Sequence, residues 1–245
     1  MCYFNSINLS IGDIIKISNQ EKTITHEFHS ELTSGFEYTQ WPILFKNNTN
    51  ELELELAHWE FIPKWVRNKQ QVEENRTKFT TLNATAEKLL DSAVYKDAAR
   101  KRRCLVLSSG FYEWRHHHPL GSKKDVAYPY YIFIPGHHYF FMAGIHQEWT
   151  DTTTGETFDT FAVVTTQANE LMEKIHNKKK RMPTILDESL AEEWLSPTLS
   201  DDRIKAIAAH QIDSRTLSAY SIRKDFKTAE HPKEAFEYAD LPALS

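Results

Sequence analysis

Residues 51–56 read Glu-Leu-Glu-Leu-Glu-Leu, an uninterrupted alternation of charged and apolar side chains. A period of two is the signature of a β-strand with one buried and one exposed face. Several other runs are rich in β-branched and aromatic residues and are separated by turn residues. They are Cys104–Leu107, Tyr128–Ile134, Tyr139–Ile145 and Thr160–Thr165. The middle of the chain therefore favours strands.

Helical patterns are fewer and do not alternate regularly with these strands. We expect helices over Asn83 to about Ala99, Gln167–Ile175, Glu188–Leu195 and Asp202–Ala209. The absence of a repeating strand–helix–strand pattern predicts an α+β fold. We expect one domain over residues 1–230, with a β-barrel-like core of mainly antiparallel strands flanked by short helices. The acidic residues 231–245 are expected to form a loosely attached tail.

Composition and cysteine content bound the class of protein. The chain has 245 residues, of which 40% are hydrophobic and 26% charged, as is typical of soluble globular proteins. The two cysteines, Cys2 and Cys104, offer no disulfide framework, which fits a reducing compartment. The first residues lack the features of a signal peptide, and no apolar run is long enough to span a bilayer. We therefore expect a cytoplasmic, monomeric protein.

The net charge of −5 argues on its face against a nucleic-acid partner. Binding depends on local patches rather than on the total charge, however, and the chain has two basic runs. They are Arg100–Arg103 and Lys178–Arg181. Each run is either a solvated charge run or a binding patch, and charge alone favours the solvated reading.

Cys2 stands out by its position. A small side chain after Met1 is the situation in which the initiator methionine is normally removed, which would leave Cys2 with a free α-amine beside its thiol. This amine has a reference pKa of about 7.7–8.0, so that roughly a tenth of it is unprotonated at pH 7. It can attack an aldehyde to form a Schiff base. The thiol can then close a five-membered thiazolidine ring. The alternative is that position 2 has no role.

Two further segments carry groups suited to proton transfer. Glu113 lies among aromatic residues in Ser109–Trp114, where desolvation would raise its pKa; alternatively it faces water from a core strand. His176 ends a short predicted helix, although a lone histidine is more often structural than catalytic. Asn83 could merely cap a helix. The run His116-His117-His118 forms no metal-ligand set, because consecutive side chains on a strand point in different directions.

In this order, these segments resemble the SOS response-associated peptidase (SRAP) family of abasic-site-processing proteins. The markers are Met1-Cys2, the run Trp-Glu-Phe-Ile-Pro-Lys-Trp at 59–65, Asn83-Ala84 with Glu87, Gly-Phe-Tyr-Glu-Trp at 110–114, Phe-Met-Ala-Gly-Ile at 141–145, and Ile175-His176-Asn177 before Arg181-Met182-Pro183. The resemblance runs from Met1 to about Ile222. It implies a single domain with a β-barrel-like core. It also implies covalent capture of abasic sites in single-stranded DNA during the DNA damage response, with no cofactor or metal.

The resemblance further implies roles by position. Cys2 would form the thiazolidine with the ring-opened sugar, and Asn83 would orient the Cys2 amine or the sugar. Glu113 would move protons during Schiff-base formation, and His176 would assist opening of the sugar ring. The residues expected at the DNA strand are Trp65, Thr85, Phe111, Trp114 and Arg181, the aromatic ones by stacking on bases. The family name adds a peptidase activity, for which self-removal of Met1 is the simplest form.

The chain departs from the family pattern at two places. Many relatives begin Met-Cys-Gly-Arg, with the arginine reaching a DNA phosphate, whereas this chain has Tyr3 and Phe4. Many also read Asn-Ala-Arg where this chain has Thr85 as the third residue. Each lost contact would weaken binding and flatten its salt dependence. The basic segments that could replace these arginines are Arg100–Arg103, Lys178–Lys180 and Arg223-Lys224.

Two rival functions would use the same residues. A cysteine hydrolase, either a general protease or an N-terminal-nucleophile amidase, would employ Cys2, Glu113 and His176 but would release its product and turn over. A non-covalent reader of modified or single-stranded DNA would need no chemistry at all. The three readings differ in whether a covalent adduct with DNA accumulates.

Overall fold

The computed structural model describes residues 2–244, which form fifteen strands and five α-helices. The strands are β1 (Phe4–Leu9), β2 (Ile14–Ile17), β3 (Gln20–Thr23), β4 (Phe28–Ser34), β5 (Gln40–Lys46), β6 (Leu52–Trp59), β7 (Asn83–Thr85), β8 (Arg103–Ser108), β9 (Gly110–His117), β10 (Val126–Phe133), β11 (Phe140–Thr150), β12 (Thr157–Gln167), β13 (Arg181–Pro183), β14 (Ile185–Leu186) and β15 (Ser218–Ser221). The helices are α1 (Lys69–Arg76), α2 (Lys96–Lys101), α3 (Glu170–Ile175), α4 (Glu188–Trp194) and α5 (Asp201–Ala208).

Five of the strands close into a barrel. In order around the barrel they are β5, β8, β11, β12 and β6, and β6 pairs again with β5. The pairing of β12 with β6 is parallel and short, from His58 to Trp59, whereas the other four pairings are antiparallel. Large side chains such as Trp59, Phe161 and Met142 are fully or almost fully buried in the core. The predicted α+β fold with a β-barrel-like core is confirmed.

A second, five-stranded sheet has the order β15-β10-β9-β1-β4 and follows directly from the barrel strand β8. The junction between the two sheets lies at Ser108–Gly110, where the Ser108 hydroxyl donates to Asn5 Oδ1 at 2.6 Å. Gly110 is required at this junction, because a Cβ there would come within 2.2 Å of the Tyr131 hydroxyl. The same hydroxyl donates to the carbonyl of Ser109 at 3.2 Å. This close packing fixes the path of β9, which carries Glu113.

All five predicted strands are present, most of them somewhat longer than predicted. The helices predicted at Gln167–Ile175, Glu188–Leu195 and Asp202–Ala209 correspond to α3, α4 and α5. The helix predicted from Asn83 to about Ala99 is wrong over most of its length, since Asn83–Thr85 is strand β7. This strand pairs in parallel with Val163–Thr165 of β12, so that tertiary pairing overrides the local helical pattern. A helix forms only from Lys96.

The predicted loose attachment of the acidic tail is wrong for the described residues up to Leu244. Ala235 pairs with Ile222 in an isolated bridge, and Tyr238 donates through its hydroxyl to the carbonyl of Ile222 at 2.7 Å. Asp240 accepts a hydrogen bond from the Tyr128 hydroxyl at 2.6 Å. These contacts pin the tail along β10 and β15. No helix among residues 2–244 is long and apolar enough to cross a membrane.

Candidate functional site

Four side chains singled out in the sequence come from four separate segments. Cys2 precedes β1, Asn83 opens β7, Glu113 lies in β9, and His176 ends α3. We call these four residues the Cys2 cluster. All four are buried, with exposures between 0% and 8%. Direct contacts join Cys2 with Asn83 and Glu113 with His176, and the charge of Glu113 acts on the Cys2 thiol.

Strand pairing places the cluster at an open sheet edge. The pairing of β1 with β9 covers only Asn5 and Ser6, opposite Phe111 and Gly110. Cys2 and Tyr3 lie outside the strand, so no strand among residues 2–244 covers this edge of β9 beside Glu113. Further along this edge, Asn177 bonds both backbone groups of His116 and anchors the end of α3.

Asn83 holds the backbone of the residue that carries the candidate nucleophile. Its Nδ2 donates to the carbonyl oxygen of Cys2 at 2.9 Å. Its own carbonyl accepts from the Tyr95 hydroxyl at 3.3 Å, and its strand is fixed by pairing with β12. Asn83 Oδ1 is buried without a hydrogen-bond partner among residues 2–244. A buried acceptor left open in this way is unfavourable in the resting protein and suits a donor that arrives with a substrate.

Glu113 and His176 form the second pair, with Glu113 Oε2 and His176 Nε2 at 3.7 Å. His176 Nδ1 lies 2.8 Å from the carbonyl oxygen of Arg181. Because that oxygen can only accept, Nδ1 carries the hydrogen and neutral His176 presents the lone pair of Nε2 to Glu113. The histidine is therefore held in one tautomer.

Burial sets the protonation states of this pair. It raises the pKa of Glu113 to about 7, because the ionised carboxylate is poorly solvated there. Burial also lowers the pKa of His176 to about 4. The predicted rise of the Glu113 pKa is confirmed. Near neutral pH the proton of the pair belongs to Glu113, and His176 is a neutral acceptor.

The thiol of Cys2 is not pre-ionised. Burial, followed by the negative charge of Glu113, raises its pKa well above the ordinary range. Its Sγ lies 3.9 Å from the carbonyl oxygen of Phe4, to which it donates. Cys104 is fully buried in the core, as predicted, and burial raises the pKa of its thiol as well. The removal of Met1 remains a prediction, since Met1 lies outside the described residues.

The residues expected at the DNA strand have very different surroundings. Trp65 is 54% exposed and presents a free aromatic face. Trp114 is half-buried, 5.3 Å from the ring of Phe4 and 6.0 Å from that of Phe226. Phe111 is fully buried in the core and has no face for a base, so we remove it from the expected stacking residues.

Thr85 and Arg181 lie close to each other in the sheet. Thr85 pairs with Thr165 of β12 and is half-buried. Arg181 forms an ion pair with Glu87 at 2.5 Å and donates to the carbonyl oxygen of Thr165 at 2.6 Å. These contacts occupy most of the guanidinium, so Arg181 braces the sheet beside β7. A DNA phosphate would have to compete with Glu87 for it.

The basic run Arg100–Arg103 is largely neutralised. Arg100 pairs with Asp201 at 2.7 Å and Arg102 with Asp97 at 2.9 Å. Arg103 is buried and donates to backbone carbonyl oxygens, among them that of Trp194. This run is thus mainly structural, because its arginines are ion-paired or buried rather than solvated or available to DNA.

The run Lys178–Lys180 keeps one cation free of carboxylates. Lys178 pairs with Asp125 at 3.3 Å and Lys180 with Glu173 at 3.4 Å. Lys179 has no ion pair among residues 2–244. Its positive charge opposes the rise that burial causes in the pKa of Glu113, and adds to the fall that burial causes in the pKa of His176. It is the cation of this run that acts on the Cys2 cluster.

Sequence reasoning missed three aromatic residues near the cluster. The ring of Tyr3 lies 4.9 Å from that of Phe36, which is half exposed, and the negative charge of Glu113 raises the pKa of Tyr3 in addition to burial. An open depression beside the cluster includes Tyr95. Its lining residues are Asn83, Thr85, Lys88, Asp91, Ser92 and Tyr95. Adjacency to Cys2 could have singled out Tyr3, but no local signal marks Phe36 or Tyr95.

Comparison with known proteins shows the family to which the chain is similar. Residues 1–229 match the family model described as SOS response associated peptidase (SRAP). The chain is 28% identical over 223 residues to the abasic site processing protein YoqW of Bacillus subtilis, covering 91% of this chain and 92% of that protein. It is 30% identical over 197 residues to the abasic site processing protein HMCES of Xenopus tropicalis, covering 71% of this chain and 54% of that protein.

Among solved structures, a protein from Bacteroides thetaiotaomicron has 31% identity and a TM-score of 0.77, with 95% of this chain and 97% of that chain covered. A protein from Bordetella bronchiseptica has 18% identity and a TM-score of 0.69, with 91% and 100% covered, and shares the fold. The family match extends over nearly the whole chain and includes all four residues of the Cys2 cluster. The chain therefore belongs to the SOS response associated peptidase family.

Proposed function

We propose that this protein captures abasic sites in single-stranded DNA as a stable covalent adduct on Cys2, and so protects the lesion during the DNA damage response. The observation that carries the proposal is the convergence of Cys2, Asn83, Glu113 and His176 from four separate segments. The names of the relatives YoqW and HMCES, abasic site processing proteins, support the choice of substrate. Removal of Met1 is part of the proposal, because only a free α-amine beside the thiol forms the ring.

The chemistry is that of an aminothiol with an aldehyde. The ring-opened abasic sugar carries an aldehyde at C1, which the Cys2 amine attacks to give a carbinolamine. Protonation of the carbinolamine hydroxyl lets it leave as water and gives an iminium ion. The thiol sulfur then bonds to the same carbon and loses its proton, which closes the thiazolidine. One water is released per adduct, and no oxidant or cofactor enters the balance.

The protonation state of Glu113 suits these steps. With a pKa of about 7, its carboxyl is available as an acid to the leaving hydroxyl and, once ionised, accepts the thiol proton on ring closure. Glu113 thus gives one proton to the departing water and regains one from the thiol. His176, neutral with Nε2 as acceptor, takes the proton of the C1 hydroxyl as the closed ring opens and returns it to the ring oxygen, which becomes the free C4 hydroxyl. Asn83 keeps the Cys2 backbone in place, and its open Oδ1 is suited to accept from the amine or the sugar.

The electrostatics favour capture over the cysteine hydrolase. A hydrolase of that class activates its nucleophile as a thiolate, whose pKa is lowered by a neighbouring cation. In this cluster burial and Glu113 raise the thiol pKa, and burial lowers the pKa of His176. A thiolate–imidazolium pair is therefore disfavoured. In the proposed route the amine is the first nucleophile, and the thiol reacts only with the strongly electrophilic iminium ion. A general peptidase activity is not needed, and self-removal of Met1 would be a single event.

The proposed DNA surface suits a single strand whose bases are unpaired. Trp65 and Trp114 would stack on bases beside the lesion, and stacking of this kind tolerates any sequence. A duplex would have to extrude the nucleotide to reach the buried cluster, which costs a few kcal/mol. We therefore assign single-stranded DNA as the substrate.

One gel tests the proposal. The mature protein, lacking Met1, is mixed with a single-stranded oligonucleotide that carries one abasic site and is then denatured by heat and detergent. A shifted band is expected with wild type and with Cys104→Ala, the matched control that removes the other thiol. Cys2→Ala and an oligonucleotide without the abasic site should give none. Binding without a heat-stable band would favour the non-covalent reader, and cleavage of added peptides with turnover would favour the hydrolase.

A further inference from the structure

The sequence has no cation at positions 3 or 4 beside Cys2, but the fold brings one there from the other end of the chain. Lys227 Nζ lies 4.4 Å from the centroid of the Phe4 ring and 5.8 Å from that of Trp114. Phe226 fixes this position, since it is almost fully buried and its ring packs against those of Phe4 and Trp114. The lysine itself is exposed.

Lys227 differs from the neighbouring cations in its partners. Arg223 is paired with Asp225 at 2.8 Å. Lys224 lies over the ring of Tyr128 in β10 and that of Tyr238 in the C-terminal tail. Lys227 has no carboxylate within ion-pair distance among residues 2–244. Aromatic rings attract a cation without neutralising its charge. The positive charge at this place is therefore available to an anion.

The location decides which anion. Phe4 is two residues from Cys2 and Trp114 follows Glu113 directly, so the cation lies over two rings that are next to the Cys2 cluster in sequence. A strand whose base stacks on Trp114 would have its backbone within reach of a long, exposed lysine. We infer that Lys227 binds a backbone phosphate of the single strand beside the nucleotide whose base stacks on Trp114, an inference that rests on the proposed function. The aromatic pair orients the lysine, and the lysine supplies the charge missing at position 4.

The test is the salt dependence of binding to single-stranded DNA without an abasic site, which separates the phosphate contact from covalent capture. Affinities of wild type, Lys227→Gln and Lys227→Arg are measured by fluorescence anisotropy between 50 and 200 mM salt. One phosphate contact contributes about 0.7 to the slope of log affinity against log salt for single strands. The slope for Lys227→Gln should be smaller than that of wild type by about 0.7. The ratio of wild-type to variant affinity should therefore fall about 2.6-fold between 50 and 200 mM salt. Lys227→Arg should keep the wild-type slope.

Lys22→Gln is the matched control. Lys22 lies in the β2–β3 hairpin, which contacts the start of β6 through the hydrogen bond between Gln20 and Leu52. The Cys2 cluster lies near the other end of β6, where Trp59 bonds the residue before Asn83. Its slope should equal that of wild type. An unchanged slope for Lys227→Gln, with wild type still crosslinking abasic DNA, would overturn the inference and leave the proposed function standing. A wild-type protein that neither binds nor crosslinks single strands would overturn both.

Discussion

Replacing Glu113 by glutamine should change how the stability of the protein depends on pH. Burial raises the pKa of this carboxyl from its ordinary value of 4.5 to about 7. The unfolded chain exposes the carboxyl to water, where it ionises near the ordinary value. Between these two pH values the folded state holds a proton that the unfolded state has lost. The free energy of unfolding therefore falls as the pH rises from 4.5 to 7.

The size of this effect follows from the interval. The free energy of unfolding falls by about 1.36 kcal/mol per pH unit between pH 4.5 and about pH 7. Glu113 therefore lowers the stability of the folded state by about 3 kcal/mol, and the full loss is reached above pH 7. His176 acts in the opposite sense, because burial lowers its pKa to about 4 and its contribution grows with pH up to about 6.5. The histidine is present in both proteins and so cancels in the comparison of wild type with Glu113→Gln.

Urea unfolding of the two proteins at pH 4.5 and at pH 8 measures the effect. Glu113→Gln should gain about 3 kcal/mol relative to wild type on going from the lower to the higher pH. Any constant effect of the amide on hydrogen bonding is the same at both pH values and drops out. Glu230→Gln, at an exposed position, controls for the loss of a surface carboxylate. Identical pH profiles for wild type and Glu113→Gln would refute the reasoning, because the buried carboxyl would then not hold its proton.

Other predictions follow from the proposed chemistry. Cys2→Ser should leave at most a reversible imine, which borohydride traps, since oxygen closes the ring less favourably than sulfur; a heat-stable adduct without borohydride would contradict this. Glu113→Gln and His176→Ala should each slow crosslinking by about 10²–10⁴-fold without preventing it, and the finished adducts should be as heat-stable as those of wild type. Wild-type kinetics in both variants across pH 5–8, followed by gel time courses, would remove them from the mechanism. Capture should be much faster on single strands than in the middle of a duplex, and equal rates would count against Trp65 and Trp114 as stacking residues.

Local patterns in the sequence predicted the strands well. The alternation at residues 51–56 and the β-branched runs each became a strand. The expected buried face of residues 51–56 is only partly present, because Leu56 is 41% exposed. The segment after Leu82 failed because its structure is decided elsewhere. Asn83–Thr85 completes the edge of β12, and Trp59 Nε1 donates to the carbonyl oxygen of Leu82. Such pairing cannot be read from a helical pattern in one segment.

The candidate site could be predicted only in part, for the same physical reason. The motif around Glu113 predicted the direction of its pKa shift, but for the wrong reason. Tyr112 and Trp114 point to the opposite face of β9 and pack with Phe4 and Phe226, whereas Glu113 lies beside His176. The low pKa of His176 depends on burial against β9, which the sequence does not reveal. Nor does it reveal that Phe111 faces the core, or that the charge near Phe4 comes from Lys227.

Mass spectrometry of the crosslinked protein tests the central claim most directly. After reaction with a single-stranded oligonucleotide carrying one abasic site, the protein and DNA are digested and the modified peptide is sequenced. The account predicts that the modified peptide begins at Cys2, lacks Met1, and carries the sugar remnant with the loss of one water. An adduct on a lysine, or on a peptide that still begins with Met1, would contradict it.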